Sequence, residues 1–335
     1  MLLQFVIFGV GLLVLLFGAD WLVRGASILA LRFGIRPLVV GLTVVALGTS
    51  MPEFLINFMA AVTGEDSLAL GNIVGSNIAN IAMILGASAI LLPLAVSPGT
   101  LRKEYPILLG VMLLFYYLSL DGVVSRLDGL ALILGLFGFL LYLVIDARNH
   151  AEQVRIELGL SVNLDEPEEE ILAQETVADP SLQRRVVWQQ IGFIFGGMIA
   201  LAIGAKLMVM SAVTIAAYLD VPSIVVGLTV VAIGTSLPEL AASVMCALNK
   251  QGDMTVGNVL GSNLLNVLFV VGLVSMIRPL QVDAESLSIH FPVMIVFTLL
   301  LLPLAWTRYQ ITRLEGGVLI SGYIGYMVYL VLPYV

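Results

Sequence analysis

A segment of 46 residues occurs twice in this chain. Residues 41–86 read GLTVVALGTSMPEFLINFMAAVTGEDSLALGNIVGSNIANIAMILG, and residues 227–272 read GLTVVAIGTSLPELAASVMCALNKQGDMTVGNVLGSNLLNVLFVVG. The offset is a constant 186 without a gap, and 20 of the 46 positions are identical. The register extends outward, matching Gly18-Ala19 to Gly204-Ala205 and Pro93 to Pro279. A repeat of this length requires two like halves. The best matched positions are polar ones inside apolar surroundings, which a merely duplicated bundle would not need.

The surroundings decide the solvent. Of the 335 residues, 60% are hydrophobic and 11% charged, and the mean hydropathy is +1.06. No soluble fold hides that much apolar surface. This excludes a soluble enzyme, a nucleic-acid binder and a secreted disulfide scaffold. The lone Cys246 cannot form an intramolecular disulfide, and His150 and His290 cannot build a His-rich metal site. Ten apolar runs are candidate spans: 3–32, 37–64, 68–95, 105–120, 127–146, 187–218, 222–249, 254–277, 289–305 and 315–334. In lipid such runs must close their hydrogen bonds internally, so they are expected as helices. The first run has no basic residue before it and no clear cleavage site, and is expected as a retained helix.

Five runs per half is an odd number, so the two copies enter the membrane in opposite directions. The expected fold is an all-α polytopic membrane protein with ten transmembrane helices, arranged as two inverted five-helix repeats (1–147 and 186–335). Between them lies 148–185, read as an acidic cytoplasmic linker. It holds nine acids and four bases, most of the chain's net charge of −8. It lacks an EF-hand loop pattern, so a solvated connector is expected and not a Ca²⁺ sensor. With both termini outside, 12 of the 15 basic residues face inward and two, Arg126 and Arg278, face outward, with Lys206 within a span. The location expected is a plasma membrane, or a prokaryotic inner membrane. No cofactor, nucleic acid or obligate protein partner is indicated. Inverted repeats mark secondary transporters, with the site at the midplane where the copies meet.

Glu53 and Glu239 sit mid-span, where a charge costs about 2.5–3.5 kcal/mol on insertion scales. No lysine or arginine lies at comparable depth in the same spans, so another cation or a proton must neutralise them. Thr49 and Thr235 lie one turn before the glutamates on the same face. Pro52 and Pro238 lack an N–H, and this is expected to free carbonyls near Gly48 and Ala46, and near Gly234 and Ala232. The following spans add Ser76 and Asn80, and Ser262 and Asn266, each pair four residues apart. All are hard oxygen donors, suited to Na⁺, Ca²⁺ or Mg²⁺ and not to Zn²⁺ or Cu⁺. Asn77 and Asn263 fall on another face, where tying helices together is expected. For Asn72 and Asn258 a structural role is expected. Gly75 and Gly261 are expected to admit close helix approach. An intramembrane hydrolase using the two carboxylates would need one catalytic constellation, not two matched ones, so the chain is not read as an enzyme.

The segments G-T-S-x-P-E and G-N-x-x-G-S-N-x-x-N, each present in both copies, resemble the α-repeats of the cation/Ca²⁺ exchanger superfamily. The likeness is greatest to sodium/calcium exchangers and their prokaryotic homologues. In that family the positions matching Glu53, Thr49, Ser50, Ser76, Asn80, Glu239, Thr235, Ser236, Ser262 and Asn266 line the ion sites, and Ala46 and Ala232 match backbone ligands. The resemblance implies Ca²⁺ held between the two glutamates, with Na⁺ in overlapping and flanking positions. It implies an antiporter exchanging Na⁺ for Ca²⁺ by alternating access. An H⁺-coupled or K⁺-dependent exchanger, or one for another divalent cation, is the alternative. K⁺-dependent relatives and some prokaryotic members carry aspartate where this chain has Asn266, and the proton-coupled branch carries a glutamate near the Asn80 position. Both departures favour Na⁺ coupling.

Two carboxylates balance one Ca²⁺ or two Na⁺, so competition for the same oxygens makes exchange obligatory. Spans 1 and 6, glycine-rich and flanking each repeat, are the candidate moving elements. Asp20 and Lys206 hold equivalent positions with opposite sign; Asp20 is expected to reach Arg24 and Lys206 to snorkel outward.

Overall fold

Proline, glycine and serine sit at several of the helix breaks among the described residues. The computed structural model describes all residues except 34, 162–179, 220, 222–225, 227–228, 230–231 and 333–335, and gives the backbone alone for 148–161, 180–184 and 232. The acidic run 165–170 and most of the linker therefore lie outside the described residues, as does the side chain of His150.

The helices are α1 (Leu2–Phe33), α2 (Pro37–Thr49), α3 (Met51–Thr63), α4 (Asp66–Leu91), α5 (Pro98–Arg102), α6 (Glu104–Ser119) and α7 (Arg126–Ser161) in the first half. The second half has α8 (Pro180–Tyr218), α9 (Ala232–Thr235), α10 (Leu237–Leu248), α11 (Gly252–Ile277), α12 (Ser286–Trp306) and α13 (Arg313–Val331). Seven of these described helices are long and apolar enough to cross a bilayer, or eight if the bent pair α2–α3 counts as one span. Of the other two expected runs, 105–120 is the shorter α6 of 16 residues, and 222–249 is described only in part.

The sequence offset is preserved in the backbone. Adding 186 to the bounds of α4 gives the bounds of α11. Each of these helices widens into a π-helical turn at the equivalent asparagine, over Asn80–Ile84 and Asn266–Val271. The residue closing α3, Gly64, adopts φ +90°, and its equivalent after α10, Lys250, adopts φ 59°. Two short antiparallel strand pairs each join one strand from either half. Leu94 pairs with Ile311, and Leu280, the equivalent of Leu94, pairs with Val124.

Burial orders the helices. The hydrophobic windows of α4 and α11 are each 78% buried, against 22% for α1 and 33% for α8, so α4 and α11 are the central pair. Around them a continuous apolar cluster takes in Ile73, Ile81, Leu108, Phe115, Leu264 and Val271. A second cluster belongs to α1 and α8, with Leu15, Leu22, Leu201 and Met208 at its centre, and touches α2 and α10 through Val45 and Ala242. These two long helices meet at backbone distance. A Cβ on Gly18 would lie 2.7 Å from Leu201 N, and one on the equivalent Gly204 2.6 Å from Leu15 N. Gly261 likewise abuts Leu42 of α2, whereas Gly75 has no described atom within 4 Å of its would-be Cβ.

One polar cluster was not foreseen from sequence. Arg36, at the joint between α1 and α2, pairs with Asp146 of α7 at 2.7 Å, and Lys103 reaches the same carboxylate at 3.1 Å. Tyr142 donates to the buried Glu104 beside them at 2.9 Å. The expected Asp20–Arg24 pair is present at 2.7 Å, and Lys206 is exposed.

Candidate cation site

The site is built on two equivalent helix breaks. Between α2 and α3 the axis bends by 50°, and the joint is Ser50 at φ −84°, ψ 2°. Ser236 repeats this between α9 and α10 with φ −89°, ψ 5°. Pro52 and Pro238 each fall in the first turn of the helix that follows, where a missing N–H removes no intrahelical bond. Glu53 and Glu239 occupy the same first turns. The free N–H groups there favour a carboxylate, and the carbonyl ends of α2 and α9 favour a cation.

Both glutamates are 1% exposed. Ser50 of the first half donates to Glu239 Oε1 of the second at 2.8 Å. The break of one copy therefore supports the carboxylate of the other. Six oxygens at the expected positions are buried without a hydrogen-bond partner: Glu53 Oε2, Glu239 Oε2, Asn80 Oδ1, Asn266 Oδ1, Ser236 Oγ and Ser262 Oγ. They make up six of the eleven such side-chain atoms among the described residues, so the unmet hydrogen-bonding capacity is concentrated here. The π turn that starts at Asn80 packs against α10, which carries Glu239, and the one at Asn266 packs against α3, which carries Glu53. Burying an oxygen unpaired costs about 1–3 kcal/mol, more when charged. Among the described residues no group of three or more His, Cys, Asp or Glu assembles a metal centre. The donor set is two carboxylates with neutral oxygens, which suits a hard cation.

The other expected positions are engaged within the protein. Thr49 donates to the Ala46 carbonyl at 3.3 Å and approaches Asn258 Oδ1 at 3.4 Å. Thr235 approaches Asn72 Oδ1 at 3.3 Å. Ser76 donates to the Ile73 carbonyl at 3.1 Å. The Ala46 carbonyl is not freed by Pro52, since it accepts the Ser50 N–H at 2.9 Å; the carbonyl that Pro52 cannot bond is that of Gly48, four residues back. Ala232 begins α9, and its side chain lies outside the described set.

Asn72 and Asn258 matter more than their sequence context suggests. Asn72 links Thr235 to Asn57, donating to Asn57 Oδ1 at 3.0 Å. Asn258 links Thr49 to Ser243, donating to Ser243 Oγ at 2.9 Å. Each asparagine thus ties a hydroxyl of the opposite half to the glutamate-bearing helix of its own. Their identity in both copies was the available signal. A cavity of about 320 Å³ is lined by Asn72, Ser76 and Thr235 together with His290, Tyr323 and Tyr326. His290 Nδ1 lies 2.9 Å from the Tyr326 hydroxyl.

The profile of the family described as "Sodium/calcium exchanger protein" matches residues 3–145 and 189–332. The inner membrane protein YrbG of Escherichia coli (strain K12) is 35% identical over 334 residues, covering 100% of this chain and 98% of its own. The sodium/calcium exchanger MaX1 of Methanosarcina acetivorans is 31% identical over 343 residues, covering 98% of each chain. Among solved structures, the sodium-calcium exchanger NCX_Mj soaked with zero Na⁺ and Ca²⁺ superposes with a TM-score of 0.78. It shares 30% identity, over 98% of this chain and 99% of that one.

Proposed function

This chain belongs to the sodium/calcium exchanger family of integral membrane transporters, and within that family we propose that it is an antiporter moving Na⁺ against Ca²⁺ across a plasma or prokaryotic inner membrane. The observation that carries the proposal is the pair of buried glutamates from matched halves, with six partnerless oxygens: equivalent glutamate and asparagine oxygens in both copies, and two serine hydroxyls of the second copy. Ca²⁺ lies between Glu53 and Glu239. The remaining ligands come from Ser50, Ser76, Asn80, Ser236, Ser262 and Asn266, from the hydroxyls of Thr49 and Thr235, and from the carbonyls of Ala46 and Ala232. Na⁺ ions take overlapping and flanking positions. Because the same two charges serve either load, the empty or mixed site is electrostatically unbalanced, and crossing is favoured only with a full set of either ion.

The ten spans form two inverted repeats, 1–147 and 186–335, about the central α4–α11 pair. The matched bounds of those helices, and strand pairs that each draw on both halves, support this arrangement. Both termini face outward and the linker 148–185 is cytoplasmic, in keeping with the distribution of basic residues. The glutamate-bearing core stays fixed while α1 and α8 move as a pair, consistent with their separate apolar cluster. Uptake of ⁴⁵Ca²⁺ into proteoliposomes is the test, with Na⁺, K⁺ and H⁺ gradients imposed one at a time. An outward Na⁺ gradient alone should drive uptake; uptake driven only by H⁺, or only when K⁺ accompanies Na⁺, would identify the alternative exchanger type.

A second expectation concerns Asn266. Its Nδ2 donates to Ser76 Oγ at 3.1 Å and to Asn77 Oδ1 at 3.2 Å. Asn266→Asp replaces that donor with an acceptor and adds a charge beside the two glutamates. The Na⁺, K⁺ and Ca²⁺ dependence of transport should shift in this variant; unchanged dependence on all three ions removes Asn266 from the selectivity argument.

A further inference from the structure

Asn77 and Asn263 are fully buried near Asn80 and Asn266 and are not among the proposed ligands. We infer that they are positioning residues, which set the atom that the amides of Asn80 and Asn266 turn toward a bound cation. This rests on the reading of Asn80 and Asn266 as ligands in the proposed function above.

An asparagine amide offers an oxygen on one side and an NH₂ on the other. Toward a cation the first attracts and the second repels, and nothing in the residue's own helix chooses between them. For Asn80 the choice is made by a chain of bonds that starts at a backbone carbonyl, which can only accept. Asn263 Nδ2 donates to the Asn77 carbonyl at 3.2 Å, so Asn263 Oδ1 is turned the other way. That oxygen accepts from Asn80 Nδ2 at 2.9 Å. The NH₂ of Asn80 is thereby engaged, and its Oδ1 is the atom left buried and partnerless.

Asn266 is oriented from the opposite half with a weaker anchor. Its Nδ2 donates to Asn77 Oδ1 and to Ser76 Oγ. Ser76 spends its own proton on the Ile73 carbonyl, so toward Asn266 it accepts. Among the described residues the NH₂ of Asn77 meets only the thioether of Met294, a poor acceptor, at 3.9 Å. Asn80 is therefore pinned through a backbone carbonyl, and Asn266 through a hydroxyl and an amide resting on sulfur. In both halves the orienting residue comes from the other copy. The two amides face the site correctly only while the halves are docked.

The test uses the full-length protein in proteoliposomes and reads the half-saturating Ca²⁺ concentration separately from the maximum rate. Removing a residue that orients a metal ligand typically weakens affinity by about 10- to 100-fold. Asn263→Leu should raise half-saturation by that order. Asn77→Leu leaves the backbone carbonyl and Ser76 in place and should raise it less. Asn263→Ala gives the same reading without added bulk if the leucine variant does not accumulate.

Double variants separate positioning from packing, because residues that act through one another are not additive. Asn263→Leu should cost nothing further once Asn80 is alanine, and Asn77→Leu nothing further once Asn266 is alanine. In the crossed pair, Asn263→Leu with Asn266→Ala, the two effects should multiply. If the matched pairs also multiply, or if the single variants change only the maximum rate, the positioning role is overturned while the ligand reading stands. If Asn80→Ala and Asn266→Ala both leave half-saturation unchanged, the ligand reading itself falls.

Discussion

Glu53→Gln and Glu239→Gln should each abolish Na⁺-driven Ca²⁺ uptake. Either substitution keeps the shape of the side chain and removes one of the two charges that balance Ca²⁺. Both carboxylates are 1% exposed, and each has an oxygen with no partner in the protein. No solvent is at hand to compensate for the lost charge. Leaving a buried charge uncompensated costs about 3–5 kcal/mol. At 1.4 kcal/mol per tenfold, Ca²⁺ affinity should fall by about two to four orders of magnitude. The measurement is ⁴⁵Ca²⁺ uptake into proteoliposomes under an outward Na⁺ gradient. Near-normal uptake by either variant would falsify the shared-site arrangement. The two variants should also resemble each other, since the residues occupy equivalent breaks, although only Glu239 accepts the Ser50 hydroxyl at 2.8 Å.

The second large effect is expected at the crossing of α1 and α8. Gly18→Val and Gly204→Val should each lower the melting temperature of the purified protein and slow transport. A Cβ on Gly18 would stand 2.9 Å from the Gly197 carbonyl as well as 2.7 Å from Leu201 N. On Gly204 it would meet the Gly11 carbonyl at 2.8 Å. These obstacles are backbone atoms that no rotamer change removes, so the helices must separate. Overpacking of this kind costs about 1–3 kcal/mol. Gly9→Ala is the control on the same helix, because nothing lies within 4 Å of its added carbon. Thermal unfolding in detergent tells the cases apart. A Gly204→Val protein that melts and transports like the Gly9→Ala control would show that this close approach is dispensable.

If α1 and α8 slide as a pair over the core, the contacts that tie them to it are what movement must break. Ser27 of α1 lies 2.8 Å from Gln251 Oε1, and Arg36 pairs with Asp146 of α7. Both contacts are on the expected cytoplasmic side. Position 104 carries a glutamate in the first half, whereas its equivalent in the second is His290, whose ring meets Tyr326 and not an arginine. The two equivalent positions are thus chemically different although their backbones are related by the same offset.

Much of the candidate site is legible along the chain because its determinants are local. Thr49 and Glu53, or Ser76 and Asn80, share a face by helical spacing alone, and a proline after Thr-Ser announces a break whatever surrounds it. The carbonyl of Ala46 shows where such reasoning overreaches. Pro52 has no N–H to offer the carbonyl four residues back, which is that of Gly48, while the Ala46 oxygen keeps the Ser50 N–H at 2.9 Å. Asn72 and Asn258 show where it falls short. Placed near helix starts by sequence, they approach Thr235 and Thr49 across 163 and 209 residues of chain.

By itself the sequence determined the solvent, the duplication and the charges. Apolar runs in lipid have no stable form but helix, a register of 186 residues makes two like halves, and a glutamate within such a run demands a counter-charge. Tertiary structure alone decided which oxygens are left unpaired and which way each amide turns. Hydrogen bonds such as Ser50 to Glu239, Asn80 to Asn263 and Asn266 to Asn77 join residues more than 180 positions apart. No periodicity encodes those pairings. They follow from how the two halves pack about the central pair α4 and α11, which brings polar groups of one copy against those of the other.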